Sequence, residues 1–168
     1  MLIRKATLAD IPNIMQLIRK VVPLMNAAGN FQWDNTYPNP EVFNNDIALC
    51  QLWVADIEGN LTGIAAITTD QDAEYANVGW GITQTAIVTH RLAVDPDYRG
   101  LGIAAALLNQ AEHEAISRHI PILRTDTNSN NQATQKLFPK LGYIYAGETT
   151  LAFRPGLSFY CYEKQLPQ

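Results

Sequence analysis

The stretch from Ala93 to Ala105 constrains this 168-residue chain more than any other part of the sequence. An apolar, β-rich run from Ile87 to Val94 leads into it, and a segment rich in alanine and leucine, Leu101 to about Ser117, follows it. Apolar residues recur at helical spacing in that second segment, which predicts a helix. Between strand and helix lies the turn Arg99-Gly100-Leu101-Gly102. We therefore expect the chain to fold around a strand, a glycine-bearing turn and a helix.

The turn has the chemistry of a phosphate-binding loop. Arg99 supplies a fixed positive charge, and the two glycines remove side chains that would keep a ligand away from the backbone. The first N–H groups of the following helix have no acceptor within the helix, and the helix dipole is positive at the same end. The turn carries neither the GxGxxG fingerprint of Rossmann dinucleotide binders nor the Gly-Lys-Ser/Thr of a P-loop. It therefore predicts an anion site of another kind.

Composition and charge limit the classes of function that the chain can have. An apolar fraction of 47% with 17% charged residues predicts one folded domain over residues 1–168. The net charge of −4, with no basic run, predicts no nucleic-acid partner. No segment approaches the ~20 apolar residues of a membrane span, and no signal peptide begins the chain, which predicts a cytoplasmic protein without membrane association. Cys50 and Cys161 lack the spacing of a zinc site, so we expect no metal.

Hydrophobic periodicity predicts an α/β domain with a mixed sheet. The first helix should follow Thr7 and Asp10 and should end or kink at Pro23. The section from Asp70 to Thr85 is expected to be a loop or an irregular strand. The predicted strands are Leu2–Ala6, Leu52–Ile57, Leu61–Thr69, Ile87–Val94, Ile122–Thr127, Tyr143–Ala146 and Phe159–Glu163, and the later helices are Pro40–Leu49, Leu101–Ser117 and Asn131–Leu141.

Two motifs resemble those of the GNAT N-acetyltransferase superfamily. The pattern Arg99-x-x-Gly102-x-Ala104, with Val94-Asp95-Pro96-x-Tyr98 before it, resembles the family's acetyl-CoA-binding motif. The segment Asn131–Tyr143, NQATQKLFPKLGY, resembles the family's second CoA-contacting helix. The resemblance implies an α/β fold with a mixed, mostly antiparallel sheet of about six to seven strands, flanked by about four helices and splayed at strands 4 and 5.

The resemblance also implies acetyl-CoA as co-substrate and assigns residues to it. Main-chain groups of Leu92, Ala93 and Val94 are implied to contact the pantetheine arm and the acetyl carbonyl. Asn131 corresponds to the side chain that hydrogen-bonds the pantetheine arm, although helix capping explains an Asn at that place equally well. The residues implied to hold the pyrophosphate through backbone N–H groups are Arg99, Gly100, Leu101, Gly102, Ile103, Ala104 and Ala105.

Acetyl transfer to an amine needs a neutral nucleophile and a polarised thioester carbonyl. His90 is the natural candidate for the base because its ordinary pKa lies near neutrality, with a structural histidine as the alternative interpretation. Glu74 and Asp126 are the other candidates. Asp126 and Arg91 could instead form an ion pair between adjacent strands, which would make both structural.

The departing thiolate also needs a proton. The tyrosine that many family members use for this purpose corresponds to Phe138, whose phenyl ring has no proton to give. Tyr75, Tyr98 or water would then supply the proton, unless the protein relies on positioning and thiolate stabilisation.

The acceptor side is implied to contain two groups of aromatic residues. Phe31, Trp33 and Tyr37 lie in the turn-rich loop Asn26–Pro40, and Tyr75 and Trp80 precede the fourth strand. Such a wall suits an amine through cation–π contacts, whereas each ring taken singly also suits core packing. The resulting hypothesis is an N-acetyltransferase that acts on a primary amine of a small molecule or peptide. We also expect that the protein can form a homodimer. The alternative is a non-catalytic acyl-CoA-binding module.

Overall fold

The computed structural model describes residues 1–167, which form a sheet flanked by helices. Among these residues, none of the helices combines the length and the apolar character needed to cross a membrane. The strands are β1 (Leu2–Lys5), β2 (Leu52–Ile57), β3 (Asn60–Thr68), β4 (Ile87–Val94), β5 (Ile122–Asn128), β6 (Ile144–Thr149) and β7 (Phe159–Gln165). The helices are α1 (Ile11–Ala27), α2 (Pro40–Ala48), α3 (Ile103–Ser117) and α4 (Gln132–Lys140), with short 3-10 turns at Leu8–Asp10, Ala73–Val78 and Pro96–Tyr98.

The sheet has the strand order β1-β2-β3-β4-β5-β7-β6. β4 and β5 are parallel, whereas β1–β2, β2–β3, β5–β7 and β6–β7 are antiparallel pairs. The parallel pairing joins Ile87–Thr89 to Leu123–Thr125 and stops there, although β4 continues to Val94 and β5 to Asn128. The predicted mixed, mostly antiparallel sheet that splays at its fourth and fifth strands is therefore confirmed.

The chain divides into two compact units, of which the first comprises Met1–Ile67 and His90–Gln110. Its core forms where the apolar face of α1, with residues at i, i+3 and i+4 spacing, packs against β2 and β3. Trp33 and Phe43 complete this core from the loop after α1 and from α2. The buried residues of α1 are Ile14, Leu17, Ile18 and Val22, and those of the two strands are Leu52, Val54, Ile64 and Ala66.

Gly63 of β3 lets the start of α3 approach the sheet closely. A Cβ at this position would lie 2.6 Å from Cγ2 of Ile103 and 3.2 Å from the carbonyl oxygen of Ala93. Any side chain would push the first turn of α3 outward, so only glycine permits this packing. The beginning of α3 is thereby fixed against the sheet.

The second unit comprises residues 68–89 and those from Ala111 onward. Its core includes Tyr75, Trp80 and Phe159. Arg124 of β5 is only 2% exposed. Its guanidinium lies 4.8 Å from the Trp80 ring centroid and donates to Glu163 at 2.9 Å, so the buried charge is both paired and stacked.

Three local expectations differ from the structure. Pro23 does not end the first helix, because α1 continues to Ala27, and a kink at Pro23 stays a prediction. The section from 70 to 85 contains the 3-10 segment Ala73–Val78 instead of a strand. The sixth strand begins at Ile144 and runs to Thr149, because its pairing with β7 continues through a bulge between Tyr145 and Gly147.

Candidate functional site

The predicted phosphate loop lies in the first unit, between β4 and α3. Gly100 and Gly102 have φ angles of +81° and +76°, which L side chains rarely adopt. A Cβ on either glycine would meet no protein atom within 4 Å, so the turn is open at both positions. The Ala106 N–H donates to the Gly102 carbonyl at 2.9 Å, which leaves the N–H groups of residues 103–105 ahead of the first helical bond.

The loop fits a diphosphate by its chemistry. The first turn of α3 carries no acidic residue that would repel an anion. Its side chains are Ile103 followed by three alanines, and Arg99 stands exposed beside them. The turn therefore combines backbone donors, the positive end of a helix and a guanidinium. The first turn of α3 has no carboxylate that would compete with an anion.

Asp95 holds the turn in place. Its buried carboxylate accepts hydrogen bonds from the Asp97 N–H and from Lys20 Nζ, both at 2.9 Å. Lys20 also donates to Asp97 at 2.8 Å, and its hydrogen bonds to Asp95 and Asp97 raise its pKa above the ordinary value. The Asp95 N–H donates to the Thr62 carbonyl at 2.8 Å.

Tyr98 lines a cleft of about 240 Å³ together with Lys20 and Asp95.

The C-terminal half of β4 carries the other predicted cofactor residues of the first unit. Ala93 is buried, whereas His90, Leu92 and Val94 are half-buried. Leu92–Val94 run directly into the turn, so the implied pantetheine and pyrophosphate contacts follow one another along the same chain segment. Arg91 has a φ of +51°, a left-handed conformation inside a strand.

Arg91 does not form the ion pair with Asp126 that the sequence offers as an alternative. Arg91 Nε and Nη2 donate to the two oxygens of Asp46 in α2, both at 2.7 Å. Burial by itself would lower the pKa of Arg91, but the hydrogen bonds and charge of Asp46 leave it raised, so the guanidinium stays ionised. The left-handed backbone of Arg91 accompanies this arrangement, in which the side chain reaches α2 instead of β5.

The three loop aromatics of the first unit differ in exposure. Phe31 is 57% exposed and Trp33 is 4% exposed. Trp33 packs in the core, which matches the single-ring alternative. Tyr37 is half-buried, packs against the same core and accepts a hydrogen bond from Arg91 Nη1 at 3.4 Å. Phe31 and Tyr37 are thus the loop rings with surface to offer a ligand.

In the second unit, the phenol of Tyr75 donates a hydrogen bond to the carboxylate of Asp126. Tyr75 has no exposed surface. Burial, followed by the charge of Asp126, raises the pKa of Tyr75 well above its ordinary value. The phenol therefore stays protonated and serves to hold Asp126.

Glu74 and Trp80 flank Tyr75 in sequence and have structural partners. The Glu74 carboxylate accepts the Ala152 N–H at 2.8 Å. Trp80 is 8% exposed, and its ring meets Tyr75 edge-on with centroids 5.1 Å apart. Both side chains therefore help to order the segment that precedes β4.

Helix α4 carries Asn131 and Phe138 at its two ends. Asn131 caps the helix, since its side-chain oxygen accepts the Thr134 N–H at 3.3 Å. Phe138 is 1% exposed and packs edge-on against Tyr162 at 5.1 Å and beside Tyr143 at 5.8 Å. The residue at the family's tyrosine position is thus part of the core.

Sequence reasoning missed Asp46 and Arg124. Asp46 follows Phe43 by three residues and lies on the same buried side of α2. A carboxylate at helical spacing from an apolar core residue was the available signal for a buried ion pair. Arg124 follows Ile122 and Leu123 and gives a similar signal, because it is a charge within a buried strand.

Comparison with known proteins identifies the family of the chain. The family model of the acetyltransferase (GNAT) family matches residues 21–143. This chain belongs to the GNAT family of acetyltransferases. The members of this family are acyltransferases that use acetyl-CoA.

Relatives and solved structures of GNAT proteins resemble the chain to different extents. N-acetylaspartate synthetase from Xenopus tropicalis is 28% identical over 106 residues, which are 63% of this chain and 35% of that protein. The chain therefore matches about a third of the length of this curated relative. A GNAT-family acetyltransferase from Streptococcus agalactiae is 27% identical with a TM-score of 0.84, over 99% of this chain and 96% of that one. YncA from Salmonella typhimurium, solved with its cofactor acetyl-CoA, shares the fold at 21% identity and a TM-score of 0.72, over 100% and 95%.

Proposed function

We propose that this protein transfers the acetyl group of acetyl-CoA directly to a primary amine of a small molecule or peptide. The observation that carries the proposal is the open turn at Gly100 and Gly102, which leads into the N-terminus of α3 in a GNAT-family chain. N-acetylation is supported by the name of the relative, N-acetylaspartate synthetase, over the matched third of that protein. A cytoplasmic location and a homodimer stay predictions.

Acetyl-CoA, when bound, supplies an activated thioester. In the proposal, the backbone N–H groups of Arg99–Ala105 bind its diphosphate. The main chain of Leu92–Val94 holds the pantetheine arm and places an N–H donor at the acetyl carbonyl. The Asn131 amide donates to the same arm while its oxygen caps α4.

The amine must lose a proton before or during attack. We place His90 first as the base, because a neutral imidazole nitrogen can accept a proton and His90 lies in β4, two residues before Leu92. Glu74 and Asp126 remain alternatives that would act through water. Since Tyr75 is fully buried and bonded to Asp126, the proton for the thiolate comes from Tyr98 or water.

The acceptor amine is proposed to lie against the aromatic side chains. Phe31 and Tyr37 offer ring faces or edges to a cation before its deprotonation. Trp33 lies in the core of the first unit, and Tyr75 and Trp80 lie in the core of the second.

A non-catalytic acyl-CoA-binding module is the second candidate. Phe138 favours it, because the position of the family's usual acid is occupied by a buried ring without a proton. The two candidates agree on cofactor binding and differ in turnover.

The test is thiol release from acetyl-CoA in the presence of an amine panel that includes aspartate, other amino acids, polyamines and peptides. Release with at least one amine, together with the acetylated product by mass spectrometry, is the expected result. Tight binding of coenzyme A without turnover on any amine would support the binding module. Absence of binding in calorimetry would overturn both candidates.

A matched experiment addresses the base. His90→Ala should lower kcat and remove the acidic limb of the pH–rate profile, while its affinity for coenzyme A stays unchanged. An unaltered pH–rate profile would exclude His90 and direct attention to Glu74 and Asp126.

A further inference from the structure

The interior of β4 contains an unusual backbone at Arg91. Its φ of +51° is disfavoured for a side chain with a Cβ and persists only where the surroundings hold it. The next residues are Leu92–Val94, the segment whose main chain the proposed function assigns to the pantetheine arm. The direction in which those N–H and C=O groups point therefore depends on the backbone at Arg91.

A buried ion pair holds this residue from the side of α2. Both Asp46 oxygens accept from Arg91 at 2.7 Å, and Asp46 is 1% exposed. Gln51 Nε2 also donates to Asp46 Oδ1 at 2.9 Å, and the Tyr37 hydroxyl lies 3.4 Å from Arg91 Nη1. A bidentate fork restricts orientation as well as distance.

The carboxylate is itself fixed in space. Asp46 lies one turn after Phe43, which has no exposed surface and is part of the first unit's core. Asn39 caps the start of α2 by accepting the Val42 N–H at 3.1 Å. The helix thus presents Asp46 from a rigid support, which is what a positioning residue requires.

We propose that Asp46 is a positioning residue: through Arg91 it sets the main chain of Leu92–Val94 for the pantetheine arm of coenzyme A. This inference rests on the proposed function. A buried ion pair contributes little to stability compared with apolar packing, so its use here is geometric. Breaking the pair should disturb the part of the site that meets the arm and spare the Gly100–Gly102 turn.

The test compares the affinities of the Asp46→Asn variant for two ligands. One is coenzyme A, and the other is its phosphorylated adenosine diphosphate fragment without the pantetheine arm. Calorimetry should show coenzyme A bound about tenfold more weakly and the fragment bound as by the wild type. Hydrogen exchange of the Leu92 and Ala93 amides in the free protein should become faster, and the KM for acetyl-CoA should rise more than kcat falls.

Asp10→Asn is the matched control. Asp10 forms another bidentate pair in the same unit, with Arg4 at 2.8 and 2.9 Å, but Arg4 has no left-handed backbone. This variant should lose stability and keep the affinity ratio of the two ligands. If Asp46→Asn fails to fold, Arg91→Lys keeps the charge without the fork and should weaken coenzyme A by about threefold.

The outcomes separate the inference from the function on which it rests. In one outcome, the wild type binds coenzyme A and the Asp46 and Arg91 variants keep its ratio of affinities for the two ligands. That outcome would leave the proposed function intact and overturn the positioning role. Wild-type protein that binds neither ligand would overturn the proposed function and the inference together. If the variants lose affinity for coenzyme A but not for the fragment without the pantetheine arm, the result supports both the proposed function and the positioning role.

Discussion

The phenol of Tyr75 donates a hydrogen bond to the carboxylate of Asp126, and the tyrosine that makes it has no exposed surface. The two residues come from segments 51 positions apart in sequence. The sequence makes Tyr75 a candidate substrate contact or acid and Asp126 a candidate base, and these roles stay predictions. The hydrogen bond shows that Tyr75 is a partner of Asp126.

Tyr75→Phe should destabilise the protein by about 1–2 kcal/mol, because Asp126 loses a buried donor while the ring packing is kept. Denaturant unfolding measures the change, and Trp80 fluorescence reports on the neighbouring ring. Turnover should fall if Asp126 acts in catalysis, with coenzyme A affinity unchanged. Equal stability of variant and wild type would show that the hydrogen bond contributes nothing.

Gly102→Ala should weaken coenzyme A binding by about tenfold or more and cost about 1 kcal/mol of stability, because a Cβ is strained at this φ and projects into the open turn. Calorimetry and thermal denaturation separate the two effects. Gly156→Ala is the matched control, since Gly156 has a φ of +84° and equally open surroundings. The control should show the strain alone, and a similar loss of affinity in both would argue against a phosphate site at Gly102.

Phe138→Tyr should not raise turnover, although it restores the residue type of many family members. The added hydroxyl enters a site that is 1% exposed and should cost about 1–3 kcal/mol unless it finds a partner. Steady-state kinetics and chemical denaturation test both parts. An increase in kcat at unchanged stability would mean that this position reaches the reacting thiol after all.

Asp10 makes stability depend on pH in the acid range. Hydrogen bonds from Arg4, against the opposing effect of burial, lower the pKa of Asp10 from 3.8 to about 2. The unfolded chain therefore takes up the proton first, so this contribution is present above about pH 4 and is lost as pH falls towards 2. Asp10→Asn should cost about 1–2 kcal/mol near neutral pH, a difference that shrinks with acidification. A difference that stays constant from pH 7 to pH 3 would contradict the assignment.

The local parts of the fold were predictable because they depend on local spacing. Alternation and apolar runs located each strand, and Gly100 and Gly102 marked the turn correctly. Boundaries failed where tertiary packing intervened. Pro23 lies inside α1, which continues to Ala27 with Met25 partly buried against the core, and β6 reaches Thr149 because β7 pairs with it.

The partners of charged side chains could not be read from spacing. The sequence offers an ion pair between Arg91 and Asp126 as one alternative, yet Arg91 has a left-handed backbone and pairs with Asp46, 45 residues earlier. An ion pair over such a separation depends on how α2 packs beside β4, which a periodic pattern does not encode. Arg124 was overlooked for the same reason, since Trp80 and Glu163 meet it only in the folded chain.

The sequence alone determined the glycine turn, the element order and the GNAT resemblance, because glycine conformation, helix polarity and hydrophobic period act over a few residues. Only the tertiary structure decided the partners and the burial of the candidate side chains in each unit. It paired Asp46 with Arg91, joined Tyr75 to Asp126 and placed Phe138 in the core. Burial and pairing arise when distant segments pack together, and these contacts determine which groups remain available for chemistry.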